Sequence, residues 1–130
     1  MPDKLFTLEE ALALLPAVRQ MLLEIQQRKR DVEERSARLD GLLGMAGGNG
    51  HHAADIEALR AELHSKATQL QQLMGELDQT GAVLKGIDDG LLDFPSLREG
   101  RVVYLCWRLG EDTISYWHEM DTGFAGRQPL

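Results

Sequence analysis

Side chains that commonly bind metal ions gather near the end of the chain. Cys106 is the only cysteine, and it is accompanied in the sequence by Asp93, His118, Glu119 and Asp121. Thiolate, imidazole and carboxylate groups are the usual protein ligands of zinc and iron. The sequence therefore offers a divalent metal as a candidate cofactor, with His118, Glu119 and Asp121 as its ligands. The alternative is that His118 is a buried, hydrogen-bonded side chain that orients the C-terminal tail.

A second set of residues could bind a small ligand. Both tryptophans and both tyrosines lie between Tyr104 and Trp117, so apolar walls and charged groups occur together here. The candidate ligand-binding residues are Asp93, Arg108, Trp117 and Arg127. Two glycines precede Arg127, which could complete a backbone pocket for a carboxylate or phosphate. Alternatively, the tail turns at these glycines and Arg127 pairs with Asp121 or Glu119.

Two further arrangements of reactive residues each have a simpler interpretation. Cys106 could act as a nucleophile with His118 as its base, which requires hydrogen-bond contact between them; otherwise Cys106 is a packed apolar residue. The adjacent His51 and His52, with Asp55, could bind a metal ion. Otherwise they belong to a solvated loop and the start of a helix.

The elements that would position these residues begin with two helices. Thr7 and Glu10 have the spacing of a capping box, in which each side chain accepts a hydrogen bond from the other residue's backbone N–H. We predict a first helix over residues 7–43 and a glycine-rich loop over 44–52. A second helix is predicted over 53–80, ending before Gly81.

Both predicted helices carry apolar residues at alternating intervals of three and four. This spacing is typical of helices that pack side by side at a shallow angle, as in coiled coils. The residues assigned to this seam are Leu15, Val18, Leu22, Ile25, Val32, Leu59, Leu63, Leu70 and Leu73. The pattern predicts an antiparallel helical hairpin that forms a homodimer through its seams.

Residues 82–130 have the pattern of a small β-unit with a C-terminal tail. Val83 and Leu84 suit a short strand, and residues 90–95 suit an extended stretch halted by Pro95. The runs 102–109 and 113–120 suit a hairpin with a two-residue turn at Gly110 and Glu111.

The predicted turn fixes a strand register. It pairs Leu109 with Asp112, Trp107 with Ile114, Leu105 with Tyr116, and Val103 with His118. Cys106 and His118 would then lie on opposite faces and could not share an ion unless a β-bulge intervened. His118, Asp121 and Asp93 could converge more easily.

Composition narrows the classes of function. A net charge of −7 with one short basic cluster does not suit a general nucleic-acid binder. A membrane span needs an apolar run of about 18 residues, and none is present in the sequence. The N-terminal residues do not have the pattern of a signal peptide, so the expected location is cytoplasmic.

Several short motifs resemble an uncharacterised bacterial family, number twenty-two-oh-three among the domains of unknown function. The resemblance covers most of the chain, and its specific part is the C-terminal block. The matching residues there are Cys106-Trp107, Leu109-Gly110-Glu111, Trp117-His118, Asp121, Gly123-Phe124, Gly126-Arg127 and Pro129. The residues from Phe6 to Ala11, the Leu14-Leu15-Pro16 pattern and Gly90 to Pro95 also fit. The resemblance implies a bacterial protein with a helical N-terminal half, and it implies no activity.

These observations together predict one α+β domain over residues 1–130, a long coiled-coil-like helical hairpin followed by a small antiparallel sheet. They favour a non-enzymatic oligomerising interaction or scaffold protein. The alternative function is a small-ligand or metal site, with or without catalysis, in the C-terminal block.

Overall fold

The computed structural model describes residues 2–45 and 52–130. Within these residues, helix α1 spans Leu8–Met45 and helix α2 spans Ala53–Gln79. Strands β1 to β5 span Val83–Gly86, Leu91–Arg98, Arg101–Arg108, Tyr116–Glu119 and Gln128–Pro129, with a short 3-10 helix at Phe124–Gly126 before β5. Residues 46–51 of the predicted glycine-rich loop lie outside the described residues. Two long helices followed by an antiparallel sheet confirm the predicted α+β class.

The start of α1 is encoded locally. The Thr7 backbone N–H donates to Glu10 Oε1 at 2.9 Å, and the Glu10 N–H donates to Thr7 Oγ1 at 3.1 Å. The predicted capping box is therefore confirmed. Both bonds satisfy N–H groups that a helix start leaves without partners.

The chain divides into two compact units, Met1–Leu23 with Gly75–Leu130, and Glu24–Met74. Within the described residues, the second unit is helical apart from a turn at His52. In it, Arg35 Nε donates to Glu62 Oε1 at 3.0 Å, which links the two helices. Ile25 and Leu59 are buried there, whereas other seam residues are half-buried: Val32, Leu63, Leu70 and Leu73.

The first unit contains the sheet, whose strands pair antiparallel in chain order. One face carries the apolar core: Leu92, Phe94, Val103, Leu105, Trp107 and Trp117 are all buried. Phe6 packs edge-on against Phe94, with ring centroids 5.5 Å apart. The seam residues of this unit, Leu15, Val18 and Leu22, are buried as well.

Pro95 does not halt its strand, contrary to the prediction, and β2 continues to Arg98. A residue in an antiparallel strand directs its N–H and C=O to the same side. The Pro95 carbonyl accepts from the Phe6 N–H at 2.6 Å, while β1 begins its pairing only at Asp93. The position of the missing N–H of Pro95 therefore lies beyond Val83, the first residue of β1, where no strand needs it as a donor.

The predicted β-hairpin register is wrong by one residue. Val103 pairs with Glu119 and Tyr104 pairs with His118. Gly110 occupies the third position of the turn, not the second position that was predicted. Its φ is 105°, and the Glu111 N–H donates to the Arg108 carbonyl at 3.0 Å. That geometry suits glycine at the third position of a β-turn.

Two hydrogen bonds that Glu111 accepts hold this turn. Its carboxylate accepts from the Arg108 N–H at 2.7 Å, and its carbonyl accepts from Trp107 Nε1 at 3.0 Å. Strand β4 then begins only at Tyr116. The longer connection shifts the register and exchanges the two faces of β4.

No helix in the described part of the chain is both long enough and apolar enough to cross a membrane.

Candidate functional site

Three polar side chains meet on the face of the sheet opposite the apolar core. Asp93 of β2 pairs with Cys106 of β3, and His118 of β4 pairs with Tyr104 of β3. Since successive residues in a strand alternate between faces, Tyr104 and Cys106 share one face with both partners. The corrected register thus places Asp93, Cys106 and His118 together, on three neighbouring strands.

The cluster of Asp93, Cys106 and His118 is compact and buried. One carboxylate oxygen, the thiol sulfur and one imidazole nitrogen lie within 4.8 Å of one another. Each residue is at most 2% exposed. Polar groups buried to this degree require hydrogen-bond or ionic partners inside the protein.

The hydrogen bonds of His118 limit the protonation of its ring. Its Nδ1 lies 2.7 Å from the Glu119 carbonyl oxygen, which can only accept, so Nδ1 carries a proton. Its Nε2 lies 3.0 Å from Asp93 Oδ2. If the ring were neutral, with its single proton on Nδ1, the lone pair of Nε2 would point at the Asp93 carboxylate oxygen, and the two acceptors would repel each other. A proton or another cation is therefore needed between Nε2 and Asp93.

The thiol of Cys106 is held in its neutral form. Burial raises its pKa from 9.0 to about 12, and the charge of Asp93 and a hydrogen bond to it add to the shift. The neutral thiol is a poor nucleophile. In addition, His118 Nε2 is already engaged by Asp93, whereas a cysteine nucleophile would need that nitrogen as its base. The arrangement does not favour a cysteine-dependent hydrolase.

A small cavity of about 90 Å³ adjoins the cluster. Besides the three cluster residues, its lining is Lys85, Leu91, Met120, Gly123 and Phe124. The Lys85 ammonium lies 4.5 Å from the centre of the Tyr104 ring, and that ring lies 5.4 Å from the His118 ring. The cavity is thus bounded by apolar side chains, one cation and the polar cluster.

The structure separates the three predicted metal ligands. Only His118 lies in the cluster. Glu119 follows His118 in β4 and therefore lies on the opposite face of the sheet. Its carboxylate oxygens accept hydrogen bonds from Arg101 Nε at 3.0 and 3.2 Å, and this pairing lowers the pKa of Glu119. Asp121 is exposed in the turn after β4. Asp93 and Cys106 accompany His118 instead.

The predicted ligand-binding residues are also divided among different sites. Asp93 belongs to the cluster, whereas Trp117 lies on the core side of the sheet with the Arg98 guanidinium 4.5 Å from its ring centre. Arg108 is exposed, and its guanidinium lies 5.6 Å from the centre of the Phe124 ring.

Arg127 is the centre of a separate packed group. Its Nη2 donates to the two carboxylate oxygens of Glu111 at 2.9 and 2.6 Å. Its guanidinium lies 4.0 Å from the centre of the Tyr116 ring and 4.6 Å from that of Phe124. The predicted pairing of Arg127 with Asp121 or Glu119 is therefore wrong, and Glu111 is its partner.

Lys85 was missed by sequence reasoning because only the pairing of β1 with β2 brings it to the cavity. The predicted register places Cys106 on the face opposite His118, which is why Cys106 is not among the predicted metal ligands.

Of the two adjacent histidines proposed to bind a metal ion, His51 lies outside the described residues. His52 is half-buried next to the start of α2, and Asp55 is exposed in its first turn.

A family model with the description Uncharacterized conserved protein (DUF2203) matches residues 4–130. The chain belongs to this family. No curated protein and no solved structure matches the chain closely enough to add a known function or fold. The DUF2203 description assigns no activity, so functional inference depends on the cluster.

Proposed function

We propose that this DUF2203 protein binds a divalent transition metal ion, zinc being the simplest choice, through Asp93, Cys106 and His118. The observation that carries the proposal is the convergence of these buried ligand atoms within 4.8 Å of one another. Catalytic zinc sites have three protein ligands and one further position that is open, whereas structural zinc sites have four protein ligands.

The separations of the three ligand atoms are close to those around such an ion. Zinc ligands lie about 2.0–2.3 Å from the metal, so tetrahedral ligands lie about 3.3–3.8 Å from one another. The shortest contact in the cluster, from His118 Nε2 to Asp93 Oδ2, is 3.0 Å. This contact would lengthen slightly and the longest separation, which is at most 4.8 Å, would shorten, so changes of about 1 Å or less in these separations would complete the coordination.

The hydrogen bond from His118 Nδ1 supports the same proposal. Histidines that bind metals usually donate their second ring N–H to a carbonyl or carboxylate, which orients the ring. The Glu119 carbonyl accepts this bond at 2.7 Å and leaves Nε2 for the ion. A metal ion would replace the proton between Nε2 and Asp93, and it would also favour the thiolate of Cys106.

Cobalt binding tests the proposal directly. Protein purified without a histidine tag and treated with chelator is titrated with Co²⁺ while its absorption spectrum is recorded. We expect one equivalent to bind, with visible bands of a four-coordinate ion and a near-ultraviolet band from thiolate bonded to cobalt. Added zinc should displace the cobalt and abolish both features.

Variants distinguish this site from other cobalt binding. Cys106→Ser should lose the thiolate band, and His118→Ala should lose stoichiometric binding. Glu119→Gln is the matched control, because Glu119 is next in sequence but pairs with Arg101, so it should bind cobalt like the natural protein. Wild-type protein that takes up no cobalt, or His118→Ala that binds it equally well, would refute the proposal.

A homodimeric scaffold is the second candidate function, and it does not compete with a metal site. Half-buried apolar residues in the second unit favour it, since a helix pair can cover only one side of each helix. In sedimentation at micromolar concentration, we expect a dimer that Leu70→Glu dissociates. Gln71→Glu adds the same charge at an exposed neighbour and should leave the dimer intact. A stable wild-type monomer would remove this candidate.

A further inference from the structure

We propose that the open position of the metal centre binds a short-chain carboxylate, with Lys85 as the charge partner of its head group. This inference rests on the proposed metal site and names the class of ligand that the site takes. It is carried by the cavity that adjoins Asp93, Cys106 and His118, and by the residues that line it.

The size of the cavity limits the ligand. Its volume is about 90 Å³, whereas a cavity that holds a single water molecule needs only about 10–15 Å³. A ligand of a few non-hydrogen atoms therefore fits beside the ion, whereas a nucleotide or a peptide does not.

The charges around the cavity favour a monovalent anion. A divalent ion with the Cys106 thiolate and the Asp93 carboxylate has no net charge, because the two anionic ligands balance it. A bound carboxylate adds one negative charge, which the nearby Lys85 ammonium balances. Lys85 is held close by its contact with the Tyr104 ring, 4.5 Å from the ring centre.

The remaining walls suit a short apolar tail. Leu91, Met120 and Phe124 line the cavity together with Gly123. The cavity therefore offers a charged end, formed by the metal and Lys85, and apolar side chains in the rest of its wall. Small-ligand sites usually combine a few polar groups with apolar walls. Propionate matches this combination better than an inorganic anion, which would have no tail to place.

The probe is propionate, titrated into the cobalt-loaded protein while the visible bands are recorded. We expect a saturable change in these bands, because a carboxylate oxygen enters the coordination of the ion. Propionamide is the uncharged control of the same size and should produce no saturable change.

Lysine variants test the assigned charge partner. Lys85→Met should load cobalt normally but bind propionate about tenfold more weakly, and Lys85→Arg should recover most of the affinity. Lys66→Met removes a lysine from the second unit and should behave like the natural protein. Higher salt should weaken propionate binding in the natural protein more than in Lys85→Met.

Two results would overturn the inference without affecting the metal site. One is cobalt-loaded protein whose bands do not respond to propionate. The other is Lys85→Met that binds propionate as tightly as the natural protein. Failure of cobalt to load at all would refute the metal site itself, and the carboxylate site with it; because loading is measured first, the two failures are distinguishable.

Discussion

Replacing the single thiol should abolish stabilisation by zinc while leaving the fold intact. In Cys106→Ser, the hydroxyl fits the space of the thiol and can keep the hydrogen bond to Asp93. We therefore expect the free energy of unfolding without metal to change by less than about 1 kcal/mol. A serine hydroxyl is a poor zinc ligand, because metals of this type bind the deprotonated thiolate.

The size of the zinc effect follows from linkage. A ligand at about one hundred times its Kd stabilises the folded state by about 2.7 kcal/mol. For a chain of 130 residues, each kcal/mol raises the Tm by about 3–5 °C. Zinc should therefore raise the Tm of the natural protein by about 8–14 °C, and that of Cys106→Ser by less than about 3 °C.

The assay is thermal unfolding followed by circular dichroism, with and without excess free zinc. Magnesium is the control ion, because it prefers oxygen ligands in octahedral geometry and should not raise the Tm. An equal zinc-induced rise in the natural protein and in Cys106→Ser would refute the role of this thiol. So would the absence of any rise in the natural protein at saturating zinc.

Three further predictions concern the metal-free protein. His118→Ala should lower the free energy of unfolding by about 3–5 kcal/mol, measured in urea, because it leaves the Asp93 carboxylate buried without its partner; the double variant with Asp93→Ala should recover part of this loss, and additive effects would contradict the pairing. The Cys106 thiol, with its pKa raised to about 12, should react with iodoacetamide at a rate that still rises above about pH 10, where an ordinary thiol is almost fully ionised and its rate has levelled off; a plateau by about pH 10 would contradict its burial. Glu111→Ala should destabilise the fold by about 1–3 kcal/mol, because Arg127 then loses its carboxylate partner inside a packed group; a change within 0.5 kcal/mol, about that of a neutral surface substitution, would contradict that account.

The sequence was sufficient for features encoded over a few residues. The capping box of Thr7 and Glu10 depends on a spacing of three and was predicted correctly. Helices α1 and α2 end at Met45 and Gln79, and the class of fold follows from the change of apolar period after Ala82. Such features depend on local backbone geometry, which neighbouring residues largely determine.

The candidate site was only partly predictable, and the reason is one turn. Asp93, Cys106 and His118 were all recognised as chemically suitable residues. Their convergence depends on strand register, which changes faces with every shift of one residue. The hydrogen bonds of Glu111 and the position of Gly110 set the length of the turn, and neither could be inferred from the apolar pattern of the strands.

The sequence by itself therefore determined the helices, the approximate strands and the chemical types available for a site. Only the tertiary structure decided which of those side chains share a face. It separates Glu119 from His118, joins Cys106 to His118 and brings Lys85 to the same cavity. The physical reason is that helix ends depend on contacts a few residues apart, whereas this cluster depends on pairing between strands distant in the chain.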